Sequence, residues 1–133
     1  FRKEWKNNTY FIKNTLEAKE FQKIVEHNKL INLVRKHPRL RRVVEKVKEL
    51  DVPIAMFFGS YVKGEETKES DIDLYVHTRN TKIREELKLL DSKLSVKIGY
   101  FDKESLLIKE IIKNHTIIKG VEKYYEFLHK KTS

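Results

Sequence analysis

The sequence predicts an α/β chain of the α+β kind: a small mixed β-sheet covered by helices, with a helical extension ahead of it. Three observations carry this. The run Ile54-Ala55-Met56-Phe57-Phe58 is short, apolar and unbroken, as in a strand buried on both faces. Leu94 to Phe101 alternates, with Leu94, Val96, Ile98 and Tyr100 on one face and Ser95, Lys97, Gly99 and Phe101 on the other. Segments with helical spacing stand on both sides of these runs.

Taken in order, Leu16, Phe21, Ile24, Val25, Ile31 and Val34 suggest one or two helices between Tyr10 and Lys36. Pro38 opens the next helix, in which Leu40, Val43, Val44, Val47 and Leu50 form an apolar stripe. After the first strand, Gly59 can take the positive φ of a sharp turn, and Ser60 can cap a short helix from Tyr61. Gly64 suits the end of that turn, and Glu65 to Glu69 form a polar loop. Ser70-Asp71-Ile72-Asp73-Leu74 leads into a second strand. Thr81 to Asp91 reads as a helix capped by Thr81, with Ile83, Leu87 and Leu90 inward, and Ser105 to Lys113 as another. His115 to Lys119 is a short strand before Gly120. Val121 to Lys130 closes the chain as a helix with Val121, Tyr124, Tyr125 and Leu128 inward.

The chemistry is concentrated between Gly59 and Asp73. A turn that leaves first-turn N–H groups pointing outward suits a phosphate. Asp71 and Asp73 are two apart on a strand, so both carboxylates share a face. At roughly 5 Å and an effective dielectric of about 20, their repulsion is on the order of 3 kcal/mol, which a divalent cation would remove. Mg²⁺ suits such a site because it binds through one or two carboxylates plus substrate phosphates.

The complete pattern GSxxxGxxxxxSDxD resembles the signature of the DNA polymerase beta-like nucleotidyltransferase superfamily, most closely its minimal nucleotidyltransferases. The resemblance covers roughly residues 52 to 128. It implies the nucleotidyltransferase fold, with Gly59, Ser60 and Ser70 holding the triphosphate and Asp71 and Asp73 binding Mg²⁺ or Mn²⁺. It further implies transfer of a nucleoside monophosphate from an NTP, ATP favoured, to an acceptor hydroxyl with release of pyrophosphate. A helical partner protein, which the chain would serve as an antitoxin-like companion, and a protein acceptor such as a tyrosine are also family-level implications. The family normally adds a third carboxylate from a later strand. Here Lys97 falls near that place, and an ammonium cannot bind Mg²⁺. Asp102 and Glu104 follow the strand, where acids favour a helix start. The alternative is therefore a catalytically weak or inactive regulator of the same fold that binds nucleotide or nucleic acid, or an antitoxin that only covers its partner.

Charge divides the chain. Residues 1–50 hold 14 Lys or Arg and 6 Glu, net +8, and residues 51–133 hold 15 against 14, net +1, which together give the total of +9. The expected organisation is thus a basic helical segment, 1–50, and a nucleotidyltransferase-like domain, 51–133, forming one compact unit. The run Arg35-Lys36-His37-Pro38-Arg39-Leu40-Arg41-Arg42 could meet nucleic acid or an acidic protein, or simply be solvated. The five histidines, His27, His37, His77, His115 and His129, lack metal-ligand spacing and read as packing or surface groups. With no cysteine, no secretory h-region and no apolar run near 18 residues, a cytoplasmic chain without a membrane span is expected. The first residue is Phe1, so an upstream segment is expected.

Overall fold

The computed structural model describes residues 15–130. The elements are α1 (Leu16–Lys36), a 3₁₀ turn (Pro38–Leu40), α2 (Arg41–Glu49), β1 (Ala55–Phe58), α3 (Ser60–Lys63), β2 (Ile72–His77), α4 (Thr81–Lys88), β3 (Leu94–Gly99), α5 (Leu106–Lys113), β4 (His115–Lys119) and α6 (Val121–His129). They form one four-stranded sheet ordered β3-β2-β1-β4. β1 is antiparallel to both β2 and β4, and β2 is parallel to β3, so the sheet is mixed.

The unbroken apolar β1 is central for a physical reason. Ala55 and Phe57 face one layer with Leu74, Val76 and Val96, while Met56 and Phe58 face the other with Tyr75 and Ile117. Helices cover both faces. Leu30, Leu33 and Val34 of α1, Leu40 of the 3₁₀ turn, and Val43, Val44 and Val47 of α2 fill the first layer, joined by Tyr61 and Leu87. Ile108 and Ile111 of α5 and Tyr124 of α6 fill the second. Leu40, Val43 and Val47 have no exposed surface, and each contributes about 1.5–3 kcal/mol by burial. The described part of the basic segment therefore shares its core with the strands.

The apolar stripe expected on α1 is corrected. Leu16, Phe21, Ile24, Val25 and Ile31 are exposed, and only Val34 of that set is buried. The inward face is instead Glu26, Leu30, Leu33 and Val34. Glu26 is tolerated there because it accepts from Tyr125 Oη at 3.1 Å and lies 3.1 Å from Lys29 Nζ. A single helix spans the region from Leu16, capped by Thr15; residues 10–14 of the expected range lie outside the described residues.

Smaller corrections concern boundaries. Ser60 begins α3 rather than capping it; Gly59 occupies the cap position with no side-chain bond. Asn80, not Thr81, caps α4 through its side chain, and the helix ends at Lys88 rather than Asp91. Ser105 caps α5 instead of opening it. β3 ends at Gly99, leaving Tyr100 more than half exposed.

Part of the basic run serves the fold. Arg39 grips Asp91 with two hydrogen bonds of 2.9 and 2.6 Å, tying the 3₁₀ turn to the approach to β3. His37 Nε2 lies 3.0 Å from Glu66 Oε1 without hydrogen-bond alignment, and its ring meets Tyr61 edge-on. Among the described residues, no helix is long and apolar enough to cross a membrane.

Candidate functional site

β1 delivers the chain to Gly59, whose φ of 77° and ψ of −155° belong to backbone that only glycine adopts readily. The first intrahelical bonds of α3 run from the N–H groups of Val62 and Lys63 to Gly59 O. The N–H groups of Ser60 and Tyr61 come before these and form the donor edge of the turn. Gly64, at φ 74°, ends α3, and Glu65 after it donates its N–H back to Ser60 O at 3.0 Å.

β2 brings Asp73 to this turn. Asp73 is aligned with Phe58, the residue before Gly59. A Cβ built on Gly59 would stand 2.1 Å from Asp73 Oδ2, so the carboxylate occupies the space a side chain would need. Asp71 is exposed just before the strand. Burial, followed by the charges of Asp71 and Glu110, pushes the Asp73 carboxyl above its usual range, while Lys97 and Lys63 pull it down. The turn, both aspartates, two lysines and a third acid thus belong to one electrostatic neighbourhood.

Ser70 shapes the loop. Its Oγ accepts from Thr67 N–H at 2.8 Å and lies 3.3 Å from Thr67 Oγ1. On the neighbouring strand, Ser95 is aligned with Asp73 and Lys97 with Tyr75, so by strand alternation Lys97 stands on the Asp73 face. Asp102 sits before α5, its Oδ1 accepting from Glu104 N–H at 3.0 Å. Glu110, on α5, is a residue that sequence reasoning misses. Its helix packs Ile108 and Ile111 onto the sheet face that holds Tyr75, and only that tertiary placement brings its charge to Asp73.

The donor set suits a cation that completes its shell with substrate oxygens. Among the described residues no three His, Cys, Asp or Glu side chains are gathered to hold a metal unaided. Two carboxylates beside a turn edged by backbone N–H donors would fit Mg²⁺ or Mn²⁺ bound together with phosphate oxygens.

At the far end of β2, His77 Nδ1 accepts from Phe101 N–H at 3.2 Å, and its ring stacks near Tyr100 and Phe127 at 5.2 and 5.4 Å. Burial lowers its pKa. His77 is a packing group, as its sequence context suggested.

Known proteins resemble this chain at the level of sequence. A curated relative, "Putative protein adenylyltransferase MJ0128" of Methanocaldococcus jannaschii, is 35% identical over 91 residues, covering 68% of this chain and 86% of its own. A chain from a crystal structure of a toxin-antitoxin with AMP-PNP matches at 22% identity over 76% of this chain and 87% of that one, with a TM-score of 0.41. The family model described as polymerase beta, nucleotidyltransferase matches residues 28–124, and with it the chain belongs to the polymerase beta nucleotidyltransferase family.

Proposed function

We infer that this protein transfers a nucleoside monophosphate, AMP foremost, from a Mg²⁺- or Mn²⁺-bound NTP to a hydroxyl of a protein acceptor. The observation that carries the reading is the closeness of Asp73 Oδ2 to the Gly59 turn; in this reading the carboxylate binds metal and the turn's backbone binds phosphate. The name of the curated relative supports adenylyl as the group and protein as the acceptor. The exposed apolar residues of α1 support association with a second polypeptide, a helical partner included.

In this reading the N–H groups of Ser60 and Tyr61, with the Ser60 and Ser70 hydroxyls, hold the triphosphate. Asp71 and Asp73 hold the metal, and Lys63 and Lys97 offset the charge that collects there. The bound cation would supply Lewis-acid neutralisation of the phosphates. The acceptor oxygen bonds to the α-phosphorus as the bond from that phosphorus to its bridging oxygen breaks. Pyrophosphate leaves with the electron pair, and the hydroxyl proton passes to solvent beside the exposed Asp71.

A second reading, a weakly active or inactive regulator, is favoured by one observation: Lys97 stands on the face where the family normally adds an acid. Titration calorimetry of ATP, GTP, CTP and UTP with and without Mg²⁺, against an Asp71→Asn, Asp73→Asn double variant, tests the site. Mg²⁺-dependent binding lost in the variant supports it, and pyrophosphate release with a protein acceptor separates transferase from regulator. Equal binding by parent and variant would defeat the assignment.

A further inference from the structure

A pocket of about 430 Å³ opens beside α3, lined there by residues of the motif turn other than Lys63. Lys29, Asn32 and Lys36 of α1, Lys113, Asn114 and His115 at the junction of α5 and β4, and Tyr61, Val62 and Gly64 of the motif turn line it. No acid lines it. Lys29 is partly neutralised by Glu26 at 3.1 Å, but Lys36 and Lys113 have no ion pair among the described residues, and both are exposed. A Cβ on Gly64 would lie 3.9 Å from Lys36 Nζ, which puts that ammonium over the end of the motif helix.

The cationic lining continues as an apolar one. Phe21, Val25, Lys29, Asn32 and Lys36 follow one another at steps of four, four, three and four, so they form one ridge along α1. Phe21 and Val25 are 58% and 41% exposed, too open to be core residues.

We propose that this pocket and ridge dock an acidic, partly apolar segment of the protein acceptor and thereby present its hydroxyl to Asp71 and Asp73. The inference rests on the transfer reading above. Charge complementarity selects an acidic occupant. The apolar residues at 21 and 25 favour a polypeptide over a sugar-phosphate chain, and Tyr61, buried and packed edge-on against His37, offers no stacking platform for bases. The chain's own residues 1–14 carry four Lys or Arg and one Glu, the same sign as the pocket, so they are not its complement.

The reach is right. His115 is aligned with Phe58, and Phe58 with Asp73, so the pocket begins two strand spacings, about 10 Å, from the carboxylate. An extended peptide advances about 3.3 Å per residue, so the anchoring acid stands about three residues from the modified hydroxyl.

The test uses the full chain without nucleotide or metal. A fluorescein-labelled peptide carries one tyrosine, leucines, and two glutamates about three residues from the tyrosine; anisotropy and amide shifts report its binding. Binding with shifts at Val25, Asn32, Gly64 and Asn114 is expected, weakened on the order of tenfold by Lys36→Glu with Lys113→Glu and not weakened in the Asp71→Asn, Asp73→Asn variant, which removes like charge near the peptide. A peptide with glutamine in place of glutamate should fail to bind. Insensitivity to the lysine reversals, or tighter binding at these residues by a single-stranded oligonucleotide of equal charge, would overturn the inference. Peptide docking in a parent that binds no NTP would instead leave docking standing and remove the transfer reading.

Discussion

Asp73 Oδ2 lies where a side chain at position 59 would have to go, 2.1 Å from the Cβ that Gly59 lacks. Turn and carboxylate are thus mutually dependent. Gly59→Ala must relieve both this clash and a φ of 77°, and a destabilisation of about 1–3 kcal/mol is expected from the backbone alone. Urea unfolding measures it, and calorimetry with MgATP should show binding lost even where the variant is folded. A Gly59→Ala protein with parental stability and affinity would show that the turn is not built as described.

Asp73→Asn has the opposite stability sign. The folded carboxyl titrates above its ordinary value of 3.8, because burial, Asp71 and Glu110 disfavour its charge. Between pH 3.8 and the raised value the native state binds more protons than the unfolded one, so stability falls as pH rises, and the ionised group is a cost at neutrality. The asparagine variant should therefore melt at or above the parental temperature at about pH 7. Mg²⁺ together with ATP should raise the melting temperature of the parent but not of the variant.

Arg39 and Asp91 give a structural test of the basic run. Arg39 holds the Asp91 carboxyl below its usual range, so this pair contributes stability above pH 3.8 that is lost as pH falls through the depressed value. Because the guanidinium is substantially exposed, Arg39→Ala is expected to cost only about 1 kcal/mol. The acid limb of its stability profile should flatten, and MgATP binding should be unchanged. A loss of nucleotide affinity at parental stability would move Arg39 into the binding machinery.

Much of this molecule was legible in its sequence because local rules and tertiary packing agree there. The doubly buried strand before Gly59, the valine stripe of residues 43 to 47 and the placement of Lys97 on β3 all follow from periodicity. Periodicity misled on α1, where the apolar residues outnumber the inward positions. Which face turns inward was decided by Leu30, Leu33 and Val34 meeting the sheet, and by Tyr125 and Lys29 satisfying Glu26. Glu110 was illegible for a related reason: an acid in the middle of a helix carries no local mark, and only the docking of α5 brings its charge to Asp73.

His115 supplies the pH dependence near neutrality. Its ring is held against Tyr124 at 4.7 Å, and Nδ1 lies 2.9 Å from Ile111 O, so this nitrogen carries the proton and donates. Burial, helped by the Lys29 charge, lowers its pKa from 6.5. As pH falls below 6.5 the unfolded chain takes up a proton that the folded chain resists, so stability must decline until the lowered folded value is reached. Thermal melts between about pH 7.5 and 5 should show this slope. His115→Gln, which can keep the bond to Ile111 O, should reduce it, with His77 supplying the remainder for the same reason. A slope untouched in the variant would mean that His115 takes up its proton alike in the folded and unfolded chains, so that burial does not hold its ring neutral.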